Sequence, residues 1–177
     1  MTTPEREERP YEEGEPEDLT SLRALLGRRR ARAVAFLALY EVDVARHDPA
    51  FALEWLRREV PLAPEGWAFV GRLVEGVLAH REDLDRTIQA YAPLWPVHLL
   101  SPVDRNLLRM ALYELLHERE TPPRVVINEA VELAKAFGSD STPRFVNGVL
   151  GSVMDRLASE NSALEPAAGG ESNAHHL

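Results

Sequence analysis

Ser101-Pro102-Val103-Asp104-Arg105-Asn106-Leu107-Leu108-Arg109-Met110-Ala111-Leu112-Tyr113-Glu114-Leu115 is the stretch that decides the fold class. Val103, Leu107, Ala111 and Leu115 recur every four residues, which places them on one face of an α-helix. Ser101-Pro102 is a helix start. Proline at the first helical position lacks only an N–H that would be orphaned anyway, and the serine oxygen can accept a bond from the next turn. The same device recurs at Asp48-Pro49, Thr121-Pro122 and Thr142-Pro143, and without a good capping residue at Ala63-Pro64. No stretch alternates with the period of two that marks a half-buried strand. Helices are therefore predicted over 28–46, 49–59, 64–79, 82–91, 102–118, 123–137 and 143–158, with Ser21 to Leu26 a candidate extension of the first that Gly27 counts against.

Their apolar faces follow the helical period. The first helix offers Ala33, Phe36, Leu37, Tyr40 and Val44, and the third Trp67, Val70, Val74, Val77 and Leu78. The sixth offers Ile127, Val131, Ala134 and Phe137 before stopping at Gly138, and the last Val146, Val149, Leu150, Val153 and Leu157. Such helices cannot bury their faces alone, so the expectation is an all-α compact bundle. Glycine within a helix costs about 1 kcal/mol relative to alanine, so Gly148 and Gly151 are expected to mark close helix approach.

The chain has 177 residues, 45% hydrophobic and 28% charged, which suits one soluble domain with a real core. It has no cysteine, which excludes disulfides, thiolate nucleophiles and cysteine-ligated zinc and fits a reducing compartment. No apolar run approaches the ~20 residues that cross a bilayer, and the Glu-rich N-terminus has no signal-peptide core. The expected location is cytoplasmic. The net charge of −9 is unevenly spread. Residues 1–19 hold eight acidic residues and two arginines, and residues 161–177 add Glu165 and Glu171. Both ends read as disordered, an acidic arm (1–19) and a polar tail (161–177), around a nearly neutral body over 20–160.

Within that body, Arg28-Arg29-Arg30-Ala31-Arg32 stands out. A like-charge run this dense repels itself unless something compensates it. Phosphate is the usual partner, because the guanidinium fork pairs with it bidentately and stays charged. The competing reading is a solvated helix start with no partner. Further on, Arg144-Phe145-Val146-Asn147 brings a cation, an aromatic and an amide to one helix start. That mixture suits single-stranded RNA, with cations for the backbone and an aromatic for stacking. Here the alternative is that Phe145 is core and Asn147 caps or crosslinks helices.

Catalytic chemistry finds no support. His47, His80, His98 and His117 are scattered without metal-ligand spacing. Glu129 and Glu132 share a helical face, but such a pair is usually exposed or salt-bridged. There is no P-loop and no G-x-S-x-G elbow, and nothing calls for a cofactor.

Taken together, these residues resemble the NusB family of bacterial transcription antitermination factors. The resemblance starts at the arginine block, continues through Ala38-Leu39-Tyr40, and resumes at Val103-Asp104-Arg105 and Leu108-Arg109. It becomes dense over Ala111-Leu112-Tyr113-Glu114-Leu115, Ile127-Asn128-Glu129-Ala130-Val131-Glu132-Leu133-Ala134-Lys135 and Phe145-Val146-Asn147-Gly148-Val149-Leu150. It covers about 28–157. It implies two packed helical subdomains and a non-catalytic RNA-binding protein. It also implies pairing with NusE (small-subunit ribosomal protein ten), binding of the boxA element of nascent ribosomal RNA, and entry into an antitermination complex on RNA polymerase. By that resemblance Arg28, Arg29, Arg30, Arg32, Lys135, Phe137, Arg144, Phe145 and Asn147 are candidate RNA contacts. Tyr40, Asp104 and Arg109 are candidate partner contacts, although Arg109 could equally pair internally with Asp104 or Glu114.

The acidic arm departs from the family, whose members often begin near the arginine block. The expectation is that it transiently covers the arginines and weakens nonspecific RNA binding. Two other readings stand beside the first. The domain also resembles the RNA-binding part of some ribosomal RNA cytosine methyltransferases, but that enzyme needs an α/β cofactor domain for which no glycine-rich strand-turn-helix is present. A protein-binding helical adaptor, with arginines docked on an acidic partner, is the other.

Overall fold

In the computed structural model, which describes residues 19–164, the helices are α1 (Leu19–Ala45), α2 (Pro49–Glu59), α3 (Pro64–Ala79), α4 (Arg81–Tyr91), α5 (Pro102–Tyr113), α6 (Pro123–Phe137) and α7 (Thr142–Leu164). A 3₁₀ turn spans Val97–Leu99, and a π-helical segment, Glu114–Glu118, continues α5. No strand occurs among the described residues. The expectations for the acidic arm and the polar tail lie outside the described residues, except that Leu19 already opens α1 and α7 runs on to Leu164.

The prolines set the starts, with two corrections to the caps. Asp48 accepts from the N–H of Ala50 at 2.9 Å and Ser101 from that of Asp104 at 3.0 Å, as expected. Thr121 does not cap α6; its hydroxyl accepts from Arg32 at 3.2 Å, and Pro122 occupies the cap position. Thr142 is buried as the first residue of α7, and its hydroxyl accepts from the N–H of Ser139 at 3.1 Å. α1 ends at Arg46, which takes a left-handed φ of 59°.

Packing divides the bundle into two groups. α1 lies against α2 and α3, α6 and α7 form an antiparallel pair, and α5 touches members of both groups. α5 is wrapped so completely that every residue from Asn106 to Leu112 is buried. The inward faces of α1 and α6 are turned from those read in the sequence. On α1 the buried set is Ala31, Val34, Ala35, Phe36, Ala38 and Leu39, whereas Val44 is 48% exposed. Three alanines at that interface let neighbouring backbones approach more closely than the larger side chains on the other face could. On α6 Val126, Ala130, Leu133 and Ala134 are buried, and Phe137 is left 40% exposed.

Close approach falls elsewhere than at Gly148 and Gly151, where an added Cβ would meet nothing within 4 Å. It falls at Gly76. A Cβ there would lie 1.9 Å from the Tyr113 ring, so glycine is what lets α3 pass the end of α5.

Candidate nucleic-acid interface

The arginine block does not open α1. It follows nine helical residues, Leu19–Gly27, so its charges lie beyond the positive end of the helix dipole rather than against it. Its four arginines then diverge. Arg30 is exposed and has no ion pair among the described residues. Arg29 is exposed at its end but anchored to the buried Glu129 of α6, with Nε and Nη2 donating at 3.0 and 2.8 Å. That hydrogen bond and the Glu129 charge raise the Arg29 pKa still further above its ordinary value. Arg28 lies over the Phe69 ring, 4.2 Å from its centre. Arg32 turns inward, 3% exposed, and donates to both oxygens of buried Glu114 at 2.9 and 2.5 Å. Arg32 therefore ties α1 to the end of α5 and has no free face to offer a phosphate.

Arg29 and Arg30 border a groove floored by Leu26, Gly27, Ala33, Leu62 and Leu133. Most of its lining comes from α1 and the α2–α3 turn, with Leu133 from α6, and two contacts mark the α1–α6 side. Arg29 meets Glu129 at one end, and the Phe36 and Phe137 rings lie 5.1 Å apart at the other. Lys135, on the same stretch of α6, is exposed and pairs with Glu132 at 2.8 Å. The hydrogen bond from Lys135 holds the Glu132 carboxyl below its usual range. Tyr40 continues the aromatic line, its ring 6.2 Å from Phe36.

Arg144 and Phe145 line a second cleft, where the start of α7 faces Tyr91 at the end of α4 and Leu94 and Trp95 of the segment after it. Phe145 is half-buried and packs on the core, Arg144 is exposed without an ion pair among the described residues, and Asn147 points to solvent. Leu94 and Trp95, 86% and 60% exposed, were missed in the sequence reading. The signal was there, in two bulky apolar residues held in a loop between Pro93 and Pro96.

The three candidate partner contacts do not share a surface character. Tyr40 and Asp104 are half-buried. Arg109 is buried, and its internal partner is neither Asp104 nor Glu114. It donates to Asp85 of α4 at 2.6 and 2.8 Å and lies 3.9 Å from Asp43. Asp43 in turn accepts from Arg105 at 2.6 Å and Asn106 at 2.8 Å. Burial alone would push the Asp43 carboxyl up. The hydrogen bonds from Arg105 and Asn106, with the Arg105 and Arg109 charges, outweigh it and hold the group below its ordinary value.

Among the described residues, a helical bundle with exposed arginines beside an apolar groove defines a class, the helical protein with a basic surface patch of the kind that suits nucleic acid. The chain belongs to the NusB family, whose model matches residues 29–155. The Transcription antitermination protein NusB of Dehalococcoides mccartyi is 47% identical over 131 residues, 74% of this chain and 92% of that protein. The protein of the same name from Roseiflexus sp. (strain RS-1) is 49% identical over 131 residues, 73% of this chain and 92% of its own. Among solved structures, T. maritima NusB matches with a TM-score of 0.67 and 37% identity, over 75% of this chain and 91% of that one. A structure of the antitermination factors NusB and NusE in complex with dsRNA matches with a TM-score of 0.68 and 27% identity, over 75% of this chain and 98% of that one.

Proposed function

We propose that this chain is a transcription antitermination factor. It binds the boxA element of nascent ribosomal RNA together with NusE, within an antitermination complex on RNA polymerase, and acts by binding rather than by catalysis. The observation that carries the reading is the placement of Arg29 and Arg30. They line an apolar groove formed by α1, the α2–α3 turn and Leu133 of α6, and Phe137, one turn further along α6, sets its ring 5.1 Å from that of Phe36. Family membership supports it, as does the NusB and NusE complex with dsRNA among the similar structures. Cations on the rim hold phosphates, while aromatic and polar groups discriminate bases. Arg144, Phe145 and Asn147 would supply a second group of contacts. Tyr40 and Asp104 would face NusE. Arg32 and Arg109 take part indirectly, by holding the helices that carry the others.

The test is fluorescence anisotropy of a boxA RNA against a scrambled one, with and without NusE, for the native chain and for Arg29→Ala/Arg30→Ala. A preference for boxA that NusE strengthens and the double variant loses is expected. The affinity should fall steeply with salt, as phosphate contacts require. Equal, salt-insensitive binding of both RNAs, indifferent to NusE, would leave a protein-binding adaptor instead.

A further inference from the structure

A second arginine cluster lies off the groove, where α1, α3 and the turn after α5 meet. Arg28, Arg32 and Arg72 set their guanidinium carbons 4.2, 5.3 and 5.6 Å from the centre of one buried ring, Phe69. Three carboxylates answer them, and they are not equivalent. Glu114 is buried and holds Arg32 through two hydrogen bonds. Glu118, with a side chain 11% exposed, accepts from Nε of Arg72 at 3.2 Å. Glu120 is 62% exposed and makes no hydrogen bond among the described residues. It lies 3.6 Å from Arg28 and 3.7 Å from Arg72, between the two and bonded to neither.

Arg28 is correspondingly short of partners. Its Nη1 is buried without a hydrogen bond, and its Nη2 reaches only this distant carboxylate. Two guanidiniums beside the same Phe69 ring thus share one loosely held anion. Exposed pairs of this length contribute little to stability, so the anion is easily exchanged. A backbone phosphodiester carries the same single charge and presents its oxygens to arginine forks in the geometry they prefer.

We propose that Arg28 and Arg72 form a phosphate slot that carries the RNA path from the arginine ridge onto α3. Glu120 occupies the slot in the free protein and is displaced by an RNA phosphate. The inference rests on the RNA reading above and adds to it a residue, Arg72, and an internal competitor, Glu120. Exchange of one monoanion for another leaves the charge balance of the cluster unchanged, and Glu114 and Glu118 stay in place to hold Arg32 and Arg72.

The experiment is a salt titration of RNA affinity, using single-stranded boxA RNA, for the native chain, Arg72→Ala, Arg72→Lys, Glu120→Gln and the double variant Arg72→Ala/Glu120→Gln. Thermal melting of each confirms folding. Arg72→Ala should weaken binding several-fold at low salt and lower the slope of log affinity against log salt by about 0.7, the value of one phosphate contact on a single strand. Arg72→Lys should restore most of that slope, which a purely structural role for Arg72 would not predict. Glu120→Gln should tighten binding several-fold, and the gain should vanish in the Arg72→Ala background. If native binding depends on Arg29 and Arg30 while Glu120→Gln and Arg72→Ala leave affinity and slope unchanged, the slot is refuted and the RNA reading stands. If the native chain shows no salt-dependent RNA binding, both fall.

Discussion

Arg30 and Arg32 are two residues apart on α1, about 200° around the helix, so they cannot share a face. Arg30 looks into solvent, and Arg32 reaches across to Glu114. The consequence is a separation of phenotypes within one basic block. Arg32→Ala leaves a carboxylate buried without its partner, a change that costs about 3–5 kcal/mol. Arg30→Ala removes a solvated charge and should alter stability by less than about 0.5 kcal/mol. Urea unfolding should therefore show a large loss for the first and almost none for the second, while RNA affinity at constant native population falls for Arg30→Ala. A stable Arg32→Ala protein with impaired RNA binding would overturn the assignment. The inward turn of Arg32 was partly legible, since it stands four residues before Phe36 and seven before Leu39, both buried. Its partner was not. Glu114 is 82 positions away, and only the packing of α1 on α5 brings the two together.

At the scale of elements, the sequence marks helices through chemistry that acts locally. A proline's missing N–H and a helical apolar period depend on neighbours in the chain alone, and the starts of α2, α3, α5 and α6 follow from them. Features that answer to distant partners were hidden. The predicted helix over 102–118 becomes α helix to Tyr113 and a wider π turn from Glu114, closed by Arg119 with a φ of 50°. The turn begins at the residue whose carboxylate meets Arg32. The glycines show the same limit, because a helical glycine reads alike whether a neighbour crowds it or not. Only the structure separates Gly76, pressed by Tyr113, from Gly151, which faces open space. Gly151→Ala should raise stability by up to about 1 kcal/mol through helix propensity. Gly76→Ala gains the same propensity but drives a methyl into the Tyr113 ring, and overpacking of that kind costs about 1–3 kcal/mol. Melting temperatures of the two variants should move in opposite directions. If both rise, Tyr113 yields freely and the contact does not constrain α3.

For the whole molecule, the question is what joins the α1–α3 group to the rest. Apolar packing of α1 and α3 on α5 supplies most of it. Asp43, near the end of α1, adds a polar lock. It bonds Arg105 and Asn106 of α5 and lies 3.9 Å from both Arg81 of α4 and Arg109 of α5. Arg109 in turn holds Asp85, so one buried carboxylate connects three helices. Because Asp43 titrates below its ordinary value of 3.8 when folded, the sign of its pH linkage follows. The unfolded chain takes up the proton first, so the stabilisation is complete above about pH 4–5 and is lost as pH falls through the lowered native value. Asp43→Asn keeps the shape and removes the charge, leaving Arg105 and Arg109 partly uncompensated. At pH 7 it should be less stable than the native chain by about 2–4 kcal/mol. The gap should narrow steadily below pH 4, as the native carboxyl is itself neutralised. Urea unfolding of both proteins at a series of pH values measures that gap directly. A difference that stays constant from pH 7 to pH 3 would mean that the lock works through shape and hydrogen bonding alone, with no part played by the Asp43 charge.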